Sequence, residues 1–573
     1  MGISKLQSAT IFGFEAKIVD IEVAFVRGLP AFQISGLANQ SVQEAKHRSS
    51  SALAAIGFQF PPLRVNINLS PSDLPKQGSH FDFGIALLIA LHSLEIPPFL
   101  QETYFALGEL GLDGKIKATE SCYPILLDLS AHHYPHIIFV PKENLALYQQ
   151  IPHLRLIGLE SLQEALDLFA SKTTLDVALY QNQLPFETLA IGGQTYYFMR
   201  DFKEDFRDII GQSVAKRAAL IAASGFHNII FEGSPGCGKS MIAHRMRYIL
   251  PPLSEEEILK NAKMRLYESG RLQYSPLRPF RSPHASSSRA ALLGSSLGNE
   301  FKPGEIALAT QGILFLDELA HFPTPLLESL REPLENHRFA LSRAHLKVEC
   351  DTAFLLVCAQ NPCPCGNLMS SVHECRCSDT ALSRYKNKLS EPFWDRIDLY
   401  VPMQEGTQEH RVDSAAMFEQ VLQAFCAQKN RAQERLNGHL HDSEVEQFCV
   451  LDEEASGILA QATQRFGLSH RANIKTRKVA RTIADLEGCE LIAKPHVFEA
   501  LSYRHRRGGC WRICLQRNRS HLSSGQEARG DCSIHFCPLC PKSLAIISSP
   551  FWAVVLYFLR SKIAACWRLR MSI

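Results

Sequence analysis

Three stretches of the sequence predict an α/β protein organised around a parallel sheet. His227-Asn228-Ile229-Ile230-Phe231-Glu232 is a short β-rich run that leads into the glycine loop Gly233-Ser234-Pro235-Gly236-Cys237-Gly238-Lys239-Ser240 and then the helix-forming Met241-Ile242-Ala243-His244-Arg245-Met246. Gly312-Ile313-Leu314-Phe315-Leu316 is an apolar run ending in Asp317 and Glu318, and Ala353-Phe354-Leu355-Leu356-Val357-Cys358-Ala359-Gln360 is another, ending at Asn361. Apolar runs of this kind suit strands covered on both faces, and sheets built from them present polar groups at their carboxyl edge.

The loop matches G-x-x-x-x-G-K-[ST] in its strand, loop, helix setting. Glycines let backbone N–H groups converge on phosphate oxygens, and the helix N-terminus adds partial positive charge. Lys239 then reaches the β and γ phosphates of a nucleotide and Ser240 ligates Mg²⁺. Asp317 belongs to the Mg²⁺ shell, Glu318 polarises the attacking water, and the amide of Asn361 holds that water. ATP and Mg²⁺ are therefore the expected cofactors. In Phe393-Trp394-Asp395-Arg396-Ile397-Asp398-Leu399, Arg396 precedes a short apolar strand and suits stabilisation of γ-phosphate charge from a neighbouring subunit. The plainer readings are a glycine turn before a core helix for the loop, and a surface ion pair with Asp395 or Asp398 for Arg396.

With these elements in order, the stretch from about 208 to 399 resembles the magnesium-chelatase-like branch of the AAA+ ATPases, and more closely the YifB/ComM group. The residues that carry the resemblance are Arg278-Pro279-Phe280-Arg281-Ser282-Pro283-His284, Pro303-Gly304-Glu305-Ile306, Leu314-Phe315-Leu316-Asp317-Glu318-Leu319, Leu330-Arg331-Glu332-Pro333-Leu334-Glu335 and Asn361-Pro362-Cys363-Pro364-Cys365-Gly366. The likeness continues through Val479-Ala480-Arg481-Thr482-Ile483-Ala484-Asp485-Leu486 and closes near Arg504. It implies an AAA+ P-loop αβα core with a parallel sheet at 201–402, a small C-terminal helical lid at 403–504, and a homohexameric ring whose nucleotide pockets are shared between subunits. By position, the lid's sensor arginine is Arg471. Lys475 and Lys478 fall near the same helical face and are expected to be solvated. Departures from the group's pattern are Ala285 after His284, Ser295-Ser296 in a turn usually rich in glycine, and His321 where an acid is common.

Residues 1–170 mix short apolar runs, such as Arg64–Leu69 and His136–Val140, with helix-like stretches at Ser41–Ile56 and Phe83–Leu94, an α/β pattern. Pro71–Asp82 and Leu107–Gly114 resemble the Lon-protease-like (ribosomal S5 domain 2-like) fold that the family carries, and 171–200 is expected to link it to the core. Aligned through Lys76 and Gly78, His80 stands where a Lon-type nucleophile belongs, with Ser79 one place early. A displacement of that size defeats nucleophilic geometry, so a non-proteolytic assembly or substrate module is expected.

Cys363, Cys365, Cys375 and Cys377 supply four thiols within fifteen residues, enough for one structural, tetrahedral zinc beside Asn361, with His373 as a fifth candidate ligand. C-x-C is a weaker signature than C-x-x-C, and unmetallated thiols are the alternative.

The 573 residues, 46% hydrophobic and 21% charged, are ordinary for globular domains and exclude a disulfide scaffold. The net charge of +2 hides a split: residues 505–573 hold 11 Lys+Arg against 2 Asp+Glu, with 6 of the 17 Cys and 3 of the 4 Trp. The body is therefore acidic and the tail basic. Leu544–Leu559 is too short, and too interrupted by Pro550, for the roughly 20 residues of a spanning helix. A zinc knuckle around Cys532, Cys537 and Cys540 is one reading of the tail. A second is an out-of-frame, disordered extension dispensable for ATPase activity. The start of the chain lacks a secretory pattern, so the body is expected in the cytoplasm, off the membrane, with reduced thiols.

The family's functions give two hypotheses. The first is an ATP-driven DNA motor for branch migration or unwinding in natural transformation or recombination, with Ala340–Lys347 lining a pore and Arg343 and Lys347 gripping phosphates, the plainer reading of that segment being a β-hairpin solvated on its rim. The second is a chelatase-type or protein-remodelling motor. An active Lon-like peptidase is a third, weaker reading.

Overall fold

A computed structural model describes residues 5–93, 103–170, 184–297, 300–343, 346–370, 372–403 and 411–504. The basic tail, with its Cys and Trp residues, lies outside them. Residues 1–504 form one compact unit.

The N-terminal part is built on a seven-stranded sheet. Its elements are β1 (Lys5–Phe12), β2 (Glu15–Val26), β3 (Ala31–Ser35), α1 (Gln40–Ala55), β4 (Arg64–Ser70), α2 (Phe81–Ser93), β5 (Tyr104–Ala106), α3 (Cys122–Ala131), β6 (Ile137–Pro141), β7 (Arg155–Leu159) and α4 (Leu162–Ala170). The order is β3-β4-β2-β1-β5-β6-β7, with β1, β2 and β4 antiparallel and the other neighbours parallel. Helix α2 is buried from Phe81 to Leu91, because its run of Phe, Ile, Leu and Ala leaves no polar face and must be covered all round. Asp82, the charged residue within it, is paired with Arg48 of α1.

The stretch expected as a linker is partly folded. Strands β8 (Glu187–Ile191) and β9 (Gln194–Phe198) form an antiparallel hairpin closed at Gly192-Gly193, both in the left-handed region that glycine alone tolerates freely. Ile191, Tyr196 and Phe198 are buried, Tyr196 packing edge-on against Phe425 at 5.0 Å. The buried run of Tyr196, Tyr197 and Phe198, with Ile191, ties the hairpin to the body.

The central sheet follows from α5 (Ser213–Gly225), β10 (Ile229–Gly233), α6 (Lys239–Met246), β11 (Leu253–Ser254), α7 (Glu255–Ser269), β12 (Phe280–Arg281), β13 (Ile313–Leu316), β14 (Leu355–Gln360) and β15 (Leu399–Met403). Its order is β12-β13-β14-β10-β15, with every neighbour parallel. All residues of β13 and β14 are buried, as uninterrupted apolar strands in a covered parallel sheet must be. The motif arginines serve this frame. Arg278, wholly buried, donates to the carbonyls of Pro251, Pro252 and Gln311, and Arg281 forks onto Glu305 at 2.6 and 2.9 Å.

The C-terminal helices α8 (Ser414–Asn430), α9 (Glu453–Phe466), α10 (His470–Leu486) and α11 (Lys494–Ser502) pack against the sheet's flank and share its core. Among the described residues no helix is long and apolar enough to cross a membrane. The N-terminal part meets the core through α3 and α7, where Lys263 Nζ lies 2.6 Å from Asp128 in a buried pair and His153 Nε2 lies 2.9 Å from Glu255.

Candidate functional site: a phosphate-binding loop at the sheet edge

Strand β10 delivers the glycine loop and α6 begins at Lys239. Gly236 and Gly238 hold φ values of +80° and +92° with open space where a side chain would stand, so the loop's backbone faces outward unobstructed. Gly233 is required for a different reason: a Cβ there would lie 2.7 Å from the carbonyl oxygen of Met403. Lys239 Nζ donates to the carbonyls of Gly233 (2.7 Å) and Ser234 (2.9 Å) and to Asn361 Oδ1 (3.2 Å). Ser234 Oγ is buried without a partner. Cys237 lines the same loop, its thiol pushed up by burial. Pro235 packs against Gly366.

Ser240 Oγ donates to Asp317 Oδ2 at 2.9 Å, which puts a hydroxyl and a carboxylate side by side where the strand and helix meet. This donor set fits a hard, six-coordinate cation such as Mg²⁺ bound with phosphate oxygens. Glu318 follows at φ +50°, a left-handed conformation uncommon for a residue with a side chain and typical of functional edges. Its carboxylate projects into solvent and meets His321 Nδ1 at 2.9 Å. His321, the departure from the acidic pattern, is thus a direct neighbour of the candidate base. Of the residues that the sequence places in one site, the fold joins Lys239 to Asn361 and Ser240 to Asp317 across β10, β13 and β14, while the Glu318 carboxylate stands beside them turned to His321.

The two candidate arginines stand differently. Arg396 is buried and donates to the carbonyls of Arg331 (3.3 Å) and Pro392 (2.5 Å) and to Glu335 Oε2 (2.5 Å). Its carboxylate partner is therefore Glu335, not the adjacent Asp395 or Asp398 that the sequence suggested. Arg471, at the start of α10, donates to Glu335 Oε1, also at 2.5 Å. One glutamate holds both arginines within the chain, a role the sequence did not reveal, since Glu335 sits inside a motif without marking its partners.

Lys475 and Lys478 are not a solvated basic face. Lys475 Nζ pairs with the buried Asp398 at 2.7 Å, and Lys478 Nζ donates to the carbonyl of Leu440 at 2.5 Å. Asp398 in turn accepts from the Asn228 amide at 2.9 Å, at the head of the loop's own strand. A buried carboxylate such as Asp398 needs a charged partner, and Lys475 is the cation that the packed helix brings to it.

The four cysteines after Asn361 do meet. Their sulfurs all lie within 4.8 Å of one another, with Cys363–Cys365 at 3.3 Å, Cys365–Cys375 at 3.6 Å and Cys375–Cys363 at 3.7 Å. His373 is not in the group. Backbone N–H groups of Asn367 and Arg376 aimed at the Cys365 sulfur hold that thiol down to about 6, whereas burial pushes Cys363 up to about 12.

In the N-terminal part, Ser79 Oγ donates to Glu109 and Lys76 Nζ to the carbonyl of Pro71, so these two side chains are committed to different partners. His80 is buried with Nε2 2.7 Å from the carbonyl oxygen of Ala9. No Ser–Lys pair forms there.

Residues 338–343 and 346–351, in the candidate pore segment, pair as an antiparallel hairpin. The side chains of Arg343 and Lys347 are outside the described set.

Models for the magnesium chelatase subunit ChlI match residues 21–144 and 205–411, and that of its C-terminal region matches 411–504. The chain is 36% identical over 516 residues to the competence protein ComM of Haemophilus influenzae, covering 88% of this chain and 98% of that protein. It is 35% identical over 512 residues to the uncharacterized protein YifB of Salmonella typhimurium, covering 88% and 97%. A protein of Mycobacterium tuberculosis, Rv2897c, is 32% identical over 522 residues, with 88% and 99% covered. Taken with the loop, the paired Ser240 and Asp317 and the all-parallel sheet, these likenesses show that the chain belongs to the ComM/YifB group of magnesium-chelatase-like AAA+ ATPases.

Proposed function

We propose that the chain hydrolyses ATP with Mg²⁺ and works as a homohexameric motor that remodels DNA, by branch migration or unwinding. The observation that carries the reading is the junction of Lys239, Ser240, Asp317 and Asn361 at the carboxyl ends of three parallel strands. Bound Mg²⁺·ATP would supply the phosphoanhydride and the charge that orders the site. The loop amides and Lys239 would hold the phosphates, Ser240 and Asp317 the metal shell, and Glu318 with Asn361 the attacking water. In this reading Arg396 acts on a neighbouring subunit's γ-phosphate and Arg471 is the lid's sensor, and each must first leave Glu335, which holds both within the chain. The C-terminal helices suit a lid that bears Arg471, and the N-terminal part, with Ser79 and Lys76 separately engaged, suits a Lon-like module without peptidase chemistry.

DNA as the substrate is supported by the likeness to a protein named for competence. The magnesium chelatase family models support the second reading, a motor acting on a protein or metal-insertion partner. ATP turnover measured with and without forked or three-stranded DNA separates them: stimulation that weakens with salt supports DNA, and indifference refutes it. Glu318→Gln should lower turnover roughly 10²-fold or more while ATP still binds. Unchanged turnover would remove Glu318 from the mechanism.

A further inference from the structure

The four thiols beside Asn361 are placed as ligands and are next to the phosphate loop. A tetrahedral ion with metal–sulfur bonds of about 2.3 Å holds its sulfurs about 3.8 Å apart. The separations of 3.3, 3.6 and 3.7 Å lie within about 0.5 Å below that value, and all four sulfurs are inside 4.8 Å. They are far longer than the roughly 2.05 Å of a disulfide. Backbone N–H groups of Leu368, Asn367 and Arg376 point at the sulfurs of Cys363 and Cys365, the kind of outer support that thiolate ligands receive. Four soft thiolates at this spacing suit a tetrahedral zinc, with iron as the alternative that metal analysis separates, and they leave the ion no open coordination position.

The loop that carries these cysteines touches the nucleotide site at two points. Asn361, two residues before Cys363, accepts from Lys239, and its own carbonyl accepts from Tyr385 Oη at 3.1 Å. Gly366, one residue after Cys365, lies on Pro235 so closely that a Cβ would stand 2.7 Å from Pro235 Cδ. The loop backbone there has φ +79°.

We propose that Cys363, Cys365, Cys375 and Cys377 bind one structural zinc ion that fastens Asn361 and Gly366 onto the phosphate loop, so that metal loading sets the affinity for nucleotide. The metal site stands on the sulfur geometry alone; its effect on nucleotide rests on the ATPase reading above.

The test uses the full chain purified under reducing conditions. Elemental analysis should find one more zinc per chain in the wild type than in Cys375→Ser/Cys377→Ser, a variant that leaves Cys363 and the loop contacts in place. Stripping the wild type and adding Co²⁺ should give thiolate charge-transfer and tetrahedral d–d bands that the variant lacks. Equal zinc in the two proteins, iron in place of zinc, or four freely reactive thiols at this site in untreated protein would overturn the proposal.

Affinity for a fluorescent ATP analogue should fall roughly tenfold on stripping, the equivalent of about 1.4 kcal/mol, and return when zinc is restored. Gly366→Ala should weaken nucleotide binding while keeping the full zinc content. Equal affinity with and without the metal would refute the fastening role. Absence of nucleotide binding in every form, with zinc content still differing between wild type and variant, would instead refute the ATPase reading and leave the metal site standing.

Discussion

Glu335 shows how one side chain can organise two distant ones. It is half-exposed, while the Arg396 side chain it meets is 9% exposed and Arg471 is 63% exposed. Removing its negative charge leaves Arg396 facing neutral oxygens only, with its charge buried and uncompensated. Glu335→Gln should therefore lower unfolding stability by about 1–3 kcal/mol. Arg471→Ala, breaking a solvated pair, should lower it by less than about 1 kcal/mol. Urea midpoints of the two variants measure the contrast, and equal losses would show that Arg396 does not depend on Glu335.

At the scale of elements, α10 is the piece that joins the C-terminal helices to the loop strand. Lys475 reaches Asp398 before β15, and Asp398 holds the Asn228 amide before β10. One to two turns on, Thr482 Oγ1 lies 2.7 Å from His227 Nε2. Burial pulls the Lys475 ammonium below its ordinary range, opposed by the attraction of Asp398, whose own carboxyl is held down by Lys475 against the opposite pull of desolvation. Lys475→Ala strands a buried carboxylate and should cost about 3–5 kcal/mol. Lys475→Met combined with Asp398→Asn should cost clearly less than the sum of the two single changes, a double-mutant cycle that additive losses would contradict.

Across the whole molecule, acid sensitivity is built into both sheets. Burial holds His80 in the N-terminal sheet and His227 beside the central one at about 4, against an ordinary 6.5. His337 is likewise held at about 4, and His439, whose ring lies 4.1 Å from that of His337, is lowered well below its ordinary value. In the unfolded chain these rings take a proton as pH falls through 6.5, whereas the folded chain resists until about 4. Stability is therefore full above 6.5 and is lost as pH drops from 6.5 towards 4. The urea midpoint should fall steeply between pH 7 and pH 5, and a flat midpoint over that range would show that these rings are not held neutral.

The phosphate loop, Asp317, Glu318 and Asn361 were legible in the sequence because each is contiguous with the strand that positions it: a run of apolar residues, then the polar group at its end. The same held for β4, β6, α1 and α2, whose periodicity or apolar content is local. What only the tertiary structure decided were pairings across long separations, such as Arg396 and Arg471 reaching Glu335 over 61 and 136 residues. Lys475 looked solvated because a helical face read from sequence has no record of what packs on it. The hairpin at 187–198 looked like a linker because its strands are short and gain their stability from α8, more than 200 residues away. Spacing suggested four cysteine ligands, but only the fold could bring their sulfurs within 4.8 Å. Local chemistry is written in neighbouring residues, whereas the choice of partner for a buried charge or thiol depends on which surfaces the packed chain brings together.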